Sequence, residues 1–207
     1  MNPTDLHPDL QAHSYEHPEL GFAIAHPLLH TIAWVDAATI NKNYLQKVDA
    51  VASALEEQRW SSYIYLHEKP YRIDAFIEVA DELGNKDYWE LLASVWTGSE
   101  NIWQNIDSWV ALWNSTRPNR ELAMTENDRD ELAAYPDTFT VYRGALFDEN
   151  EQGMSWTTDH DKAKWFSTRF AGEGDVPVVV ERVINKSEVL AYLSGRGESE
   201  VVLDLSL

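Results

Sequence analysis

The chain has 207 residues, enough for one compact domain or a small core with an appendage. Apolar residues make up 44% and charged residues 25%, ordinary globular usage that excludes wholesale disorder, and the absence of cysteine excludes disulfides, zinc–thiolate sites and thiol nucleophiles. A formal net charge of -19, from 35 acidic and 16 basic residues, repels phosphate backbones and argues against nucleic-acid binding through a broad basic surface.

No apolar run approaches the roughly 18 residues of a membrane span, and residues 1–10 lack the basic-then-apolar pattern of a signal peptide, so a cytoplasmic protein with no membrane partner is expected. Across residues 43–127 apolar side chains recur at helical spacing between capping and breaking residues. One helix opens at Pro70, with Ile73, Phe76, Ile77, Ala80 and Leu83 on one face, and stops at Gly84 and Asn85. A second covers residues 86–96. A third carries Ile102, Trp103, Ile106, Trp109, Val110 and Trp113 before Arg117 and Pro118 end it; this aromatic stripe reads as packing rather than as a ligand platform.

Thr125 with Asp128 spells a capping box and predicts a short helix to about residue 134. The texture then changes. Thr138, Phe139, Thr140, Val141 and Tyr142 alternate as a strand, residues 148–153 are polar turn material, and Thr158 with Asp161 predicts a further capped helix bearing Ala163, Phe166 and Phe170 on one face. Strands are predicted over residues 176–184 and 201–205, with a shorter apolar element between them at 189–193. The fold class is therefore α+β: a helical N-terminal region, residues 1–135, followed by a small mixed β-sheet core, residues 136–207.

Three metal-like patterns compete for attention. His13 and His17 flank Glu16 at i and i+4, the inverted zinc-protease spacing, but Pro8 and Pro18 leave barely two helical turns there. His26 and His30 share the spacing with Pro27 between them and no carboxylate nearby. Asp148, Asn150, Gln152, Gly153 and Asp159 echo a calcium loop, yet a strand precedes them where a helix should enter. No metal is expected. Walker, nucleophile-elbow and dinucleotide glycine motifs are absent too.

Three features stand in chain order: Arg143 at a strand end, with Tyr142 before it and Gly144 after it; Ser155 before Trp156, Thr157 and Thr158; and Glu198-Ser199-Glu200 opening the last strand. Over residues 139–203 this order resembles the R-S-E class of mono-ADP-ribosyltransferases, whose pattern is aromatic-Arg, then Ser-Thr-Ser, then Glu-x-Glu. The string Gly197-Glu198-Ser199-Glu200-Val201-Val202-Leu203 is similar to one in bacterial binary-toxin transferases. The chain departs from the pattern at Trp156 and Thr157, which stand where the family has Thr and Ser; Thr157 keeps a hydroxyl.

The resemblance implies an ADP-ribosyltransferase core that takes NAD as substrate, with no metal, and moves ADP-ribose to a macromolecular acceptor as nicotinamide leaves. A toxin, phage effector or defence protein would suit that chemistry. Cleavage at the nicotinamide ribose develops positive charge that a fixed carboxylate stabilises, the family role that maps to Glu200. Arg143 would hold the pyrophosphate or neighbouring ribose with its planar fork, Gly144 and Thr157 would belong to the NAD site, and Ser155 would fix the Glu200 rotamer. Phe166 or Phe170 would stack on nicotinamide, and Glu198 would face the acceptor. If both glutamates lie on one strand, period-two geometry turns them to one side, and two carboxylates so close push one pKa upward. Protein arginine is the favoured acceptor; nucleic acid, or a degenerate transferase fold that only binds, are the alternatives.

Overall fold

The computed structural model describes residues 2–32, 35–100, 102–146 and 152–205. The chain is α+β: a small N-terminal sheet, a helical middle region, then a five-stranded antiparallel sheet with one helix. It divides into two compact units, residues 1–83 and 84–207. Among the described residues no helix is long and apolar enough to cross a membrane.

The first unit opens with a short helix, α1 (Pro8–Gln11), and a three-stranded meander of β1 (Ser14–His17), β2 (Gly21–His26) and β3 (Leu29–Ile32). The helical reading of the N-terminal region does not hold over these strands. Their turns are short and built from histidine: His17 Nδ1 accepts from the backbone N–H of Glu19 and Leu20, each at 3.2 Å, and His26 Nδ1 accepts from that of Leu28 at 3.0 Å. With His17 on a strand, the spacing that reads as a zinc helix puts no two imidazoles on a helical face. The ring of His13 instead stands edge-on to that of His26, 4.7 Å away, and His26 stands edge-on to Tyr44. Asp148 and Asn150 of the calcium-like spacing lie outside the described residues.

Three helices complete this unit: α2 (Ala37–Glu56), capped by the Asp36 side chain on Thr39 N, α3 (Trp60–Leu66) and α4 (Arg72–Val79). Its core joins Leu6, Leu10, Ile24, Leu28, Ile40 and Tyr44. The stretch opening at Pro70 is α4 between two 3-10 turns, Lys69–Tyr71 and Ala80–Glu82. This shifts its phase, so Val79 is buried where Ile77 was expected, and Ile77 is 43% exposed.

In the second unit α5 (Asn85–Gly98) buries Tyr88, Trp89, Leu92, Ala93, Val95 and Trp96, a broad stripe at helical spacing. A 3-10 turn (Ile102–Asn105) leads into α6 (Ile106–Trp113), whose Trp109 and Trp113 pack edge-on to Trp96 with centroids 5.0 and 5.8 Å away. The aromatic stripe is packing at these positions but not at Trp103, which is 44% exposed. The Thr125–Asp128 capping box opens α7 (Glu126–Ala134) as predicted.

The sheet follows: β4 (Thr138–Ala145), β5 (Ser155–Thr157), β6 (Val178–Asn185), β7 (Val189–Leu193) and β8 (Glu200–Leu203), in spatial order β6-β4-β5-β8-β7. Every pairing is antiparallel, where a mixed sheet was expected. The continuous apolar run at residues 176–184 is an edge strand, with Val183 67% exposed. Helix α8 (His160–Thr168) is capped by Asp159, which accepts from Asp161 and Lys162 N, rather than by Thr158. Phe139, Val141, Trp156, Ile184, Tyr192, Val201 and Leu203 form the core of one face, with Leu132 and Tyr135 of the α7 region against it. Helices from residue 84 onward thus share one compact unit with the sheet.

Asp128 ties these layers together. Buried to 4% exposure, its Oδ2 accepts from Thr125 N and Oγ1, and its Oδ1 accepts from Ser194 N and Oγ at 2.9 and 2.6 Å. Burial pushes its pKa up, but the hydrogen bonds from Ser194 and Thr125 outweigh that and hold it below the ordinary aspartate value. Asp128→Asn, which turns an amide N–H₂ toward these donors, is expected to cost about 2–4 kcal/mol in urea unfolding at neutral pH. A lowered folded pKa stabilises above the unfolded value and is lost as pH falls through the folded one, so the gap between wild type and variant should close below about pH 4.

Candidate active site

Cross-strand register brings the site together. Tyr142 on β4 pairs with Thr157 on β5, which pairs with Glu200 on β8, so these three lie side by side on one face of the sheet. Ser155, two residues from Thr157, returns to that face diagonally across from Glu200. Its hydroxyl Oγ donates to Glu200 Oε1 at 2.5 Å.

A second donor meets the same oxygen from α5: Trp96 Nε1 to Glu200 Oε1, 2.9 Å. Nothing in the sequence pairs residues 104 positions apart, and Trp96 figures there only as the last residue of the helix read over 86–96. The available signal is general: a buried indole N–H seeks an acceptor.

Glu198 and Glu200 both line the same cleft, but not through a strand pleat. The strand β8 starts at Glu200, and Ser199 between them has φ of 44°, in the left-handed region that costs a residue with a Cβ. Thr157 fixes this turn. Its buried hydroxyl donates to the Glu198 carbonyl at 2.6 Å and accepts from Asp159 N at 3.0 Å, so the hydroxyl expected in an NAD site is engaged within the protein. Arg196 reaches across, donating from Nη1 to the Thr97 carbonyl at 2.5 Å and standing 3.5 Å from Glu198 Oε1 through Nη2. A cation thus sits at the C-terminal end of α5, where the helix dipole favours it.

The Arg143 guanidinium lies over Gly153 and donates from Nη1 to the Ser155 carbonyl at 2.5 Å. Gly153 leaves it room: a Cβ there would come within 2.6 Å of Arg143 Nη2. Gly144 serves a different contact, because a Cβ on it would overlap the backbone of Ala163 and Ser167 as α8 crosses β4.

The resulting cleft measures about 270 Å³, and all eight residues singled out from sequence line it: Arg143, Gly144, Ser155, Thr157, Phe166, Phe170, Glu198 and Glu200. Trp96, Thr97, Trp103, Arg169 and Arg196 line it as well. Phe170 is 72% exposed, Phe166 half-buried, and the Arg169 guanidinium stands over both rings at 4.5 and 4.9 Å.

Glu200 sits at the floor, walled by protein yet open to the cleft. Loss of solvent raises its pKa above the ordinary glutamate value, against the hydrogen bonds from Ser155 and Trp96; the Glu198 charge adds a smaller push in the same direction. The mutual repulsion expected of two neighbouring glutamates is therefore secondary to desolvation. Burial likewise lowers Arg143 from its ordinary value, while the charge of Glu200 raises it. A desolvated carboxylate held by two donors beside a half-buried guanidinium can stabilise developing positive charge on one part of a ligand and bind an anionic part of it. Among the described residues no cluster of three or more His, Asp or Glu side chains is arranged to hold a metal ion.

Compared with protein-family models, curated proteins and solved structures, the chain matches none.

Two measurements test this geometry. Gly144→Ala should destabilise by about 1–3 kcal/mol in urea unfolding because backbone blocks the new methyl, whereas Gly153→Ala should unfold close to wild type and displace only the Arg143 guanidinium in a crystal structure. A raised folded pKa at Glu200 means that the native state binds more protons, so stability falls as pH rises through the window between the unfolded and folded values. Glu200→Gln should therefore melt about 2–4 °C above wild type at about pH 8, and this gain should shrink as pH is lowered toward about 4.

Proposed function

We propose that the chain is a mono-ADP-ribosyltransferase that uses NAD as substrate and passes ADP-ribose to a macromolecular acceptor. The reading is carried by one observation: Arg143, Ser155 and Glu200, which resemble the R-S-E pattern in order, line a single cleft, and the Ser155 hydroxyl donates to the Glu200 carboxylate.

In this reading the C–N bond between ribose and the nicotinamide ring breaks with its electron pair leaving on nicotinamide. The positive charge left on the ribose is stabilised by ionised Glu200 through a ribose hydroxyl. An acceptor nucleophile closes on the ribose carbon from the other side and gives up its proton to the Glu198 carboxylate. Arg143 binds the pyrophosphate or ribose. Phe166, half-buried and edge-on to Trp165, offers nicotinamide a firmer stacking surface than the exposed Phe170.

Glu198 receives the acceptor, and protein arginine is the favoured class: a guanidinium could replace Arg196 at this carboxylate. Nucleic acid is the second reading, favoured by exposed Trp103 and by Arg169 between Phe166 and Phe170, a stacking surface on the cleft wall. A chain that binds NAD without turning it over is the third.

The test is nicotinamide release from NAD, with and without lysate, followed by protease or nuclease digestion of the labelled product. Glu200→Gln is expected to lower turnover by about 10²–10³-fold with no loss of melting temperature. Turnover unchanged by that substitution would remove Glu200 from the mechanism, and no turnover by the native chain with any acceptor would leave the binding reading.

A further inference from the structure

We propose that Trp96 is a positioning residue for Glu200: its indole N–H, together with the Ser155 hydroxyl, holds carboxylate oxygen Oε1 so that Oε2 is the oxygen offered to a ligand. The inference rests on the transferase reading for its catalytic meaning and on the geometry for the positioning itself.

Both hydrogen bonds fall on Oε1, at 2.5 Å from Ser155 Oγ and 2.9 Å from Trp96 Nε1. The two donors differ in kind. A serine hydroxyl rotates and can accept as readily as donate, so by itself it leaves the carboxylate free to swing. An indole N–H only donates, along one fixed direction, and it selects the ionised carboxylate or the carbonyl oxygen of the acid. Trp96 is 1% exposed and stands edge-on to Trp109 and Trp113, so the direction of its N–H is set by the aromatic core of α5 and α6. The next residue is held from the other side: Arg196 donates to the Thr97 carbonyl, clamping the segment that carries Glu198 and Glu200 to the last turn of α5. The site residues near the C-terminus are thus registered against a helix begun more than 100 residues earlier. A donor to the charged form also opposes the desolvation of Glu200, which keeps the carboxylate ionised to lower pH.

The sharpest probe replaces Trp96 by its benzothiophene analogue, 3-(3-benzothienyl)alanine, in the full chain, exchanging N–H for sulfur while keeping the ring in its packing; Trp96→Phe is the ordinary-residue companion. Expected are a melting temperature close to wild type for the analogue, a kcat for NAD cleavage lowered about tenfold or more with KM little changed, and an acid limb of the kcat profile moved to higher pH. An analogue with wild-type kcat and acid limb overturns the proposal. A readout free of NAD runs beside it. The indole N–H resonance that disappears in the analogue should titrate with pH in the wild type and lose that titration in Glu200→Gln. A resonance that does not move with pH, or moves alike in both, overturns the positioning contact. A native chain that fails to cleave NAD overturns the transferase reading, and the resonance still decides the contact.

Discussion

A carboxylate at the floor of a cleft is costly unless donors reach it, and in this protein the donors to Glu200 come from two different elements of the second unit, a strand and a helix. Ser155 arrives from the neighbouring strand and Trp96 from the C-terminal turn of α5, and both meet Oε1. The sheet register must put β5 beside β8, and the helical layer must hold α5 so that its last turn points at the first residue of β8. Asp128 fastening α7 to Ser194, Thr157 fastening the Ser199 turn and Arg196 reaching Thr97 each fix the segment that precedes that residue.

This arrangement gives the helices of the second unit a part in the site. A tryptophan that fills a hydrophobic core supplies volume from its ring and one directed donor from its edge, and Trp96 uses both. Packing against Trp109 and Trp113 makes the direction of that donor a property of the core rather than of the site. The same economy of parts appears at the glycines, where the missing side chain at Gly144 admits α8 and that at Gly153 admits the Arg143 guanidinium. If the chain transfers ADP-ribose as proposed, the activating carboxylate is held by the strand layer and the helical layer together.

Much of the architecture was legible because it depends on local pattern. Apolar periodicity identified the helical middle region, the Thr125–Asp128 capping box located α7, and β-branched alternation located β4. The three-stranded N-terminal sheet escaped because its strands are short and its turns, braced by histidine side chains and in one case closed by Gly21 at φ 79°, carry no Asn-Gly or Asp-Gly pair of the kind that marks hairpins. Ile77 was misplaced because 3-10 turns flank α4 and change the period from which a face is inferred. Glu198 and Glu200 were expected to share a pleat, and reach one cleft instead through a left-handed Ser199, a backbone state that serine does not announce.

The order of Arg143, Ser155 and Glu200 along the chain, and the residue types around them, belong to the sequence by itself, because motif spacing and chemical type are one-dimensional properties. Only the tertiary structure decided that the three share a cleft, that solvent exclusion more than Glu198 raises the Glu200 pKa, and that Trp96 is its second donor. Desolvation depends on what surrounds a group in space, and a hydrogen bond between residues 96 and 200 depends on how helix and sheet pack; neither leaves a trace in local pattern.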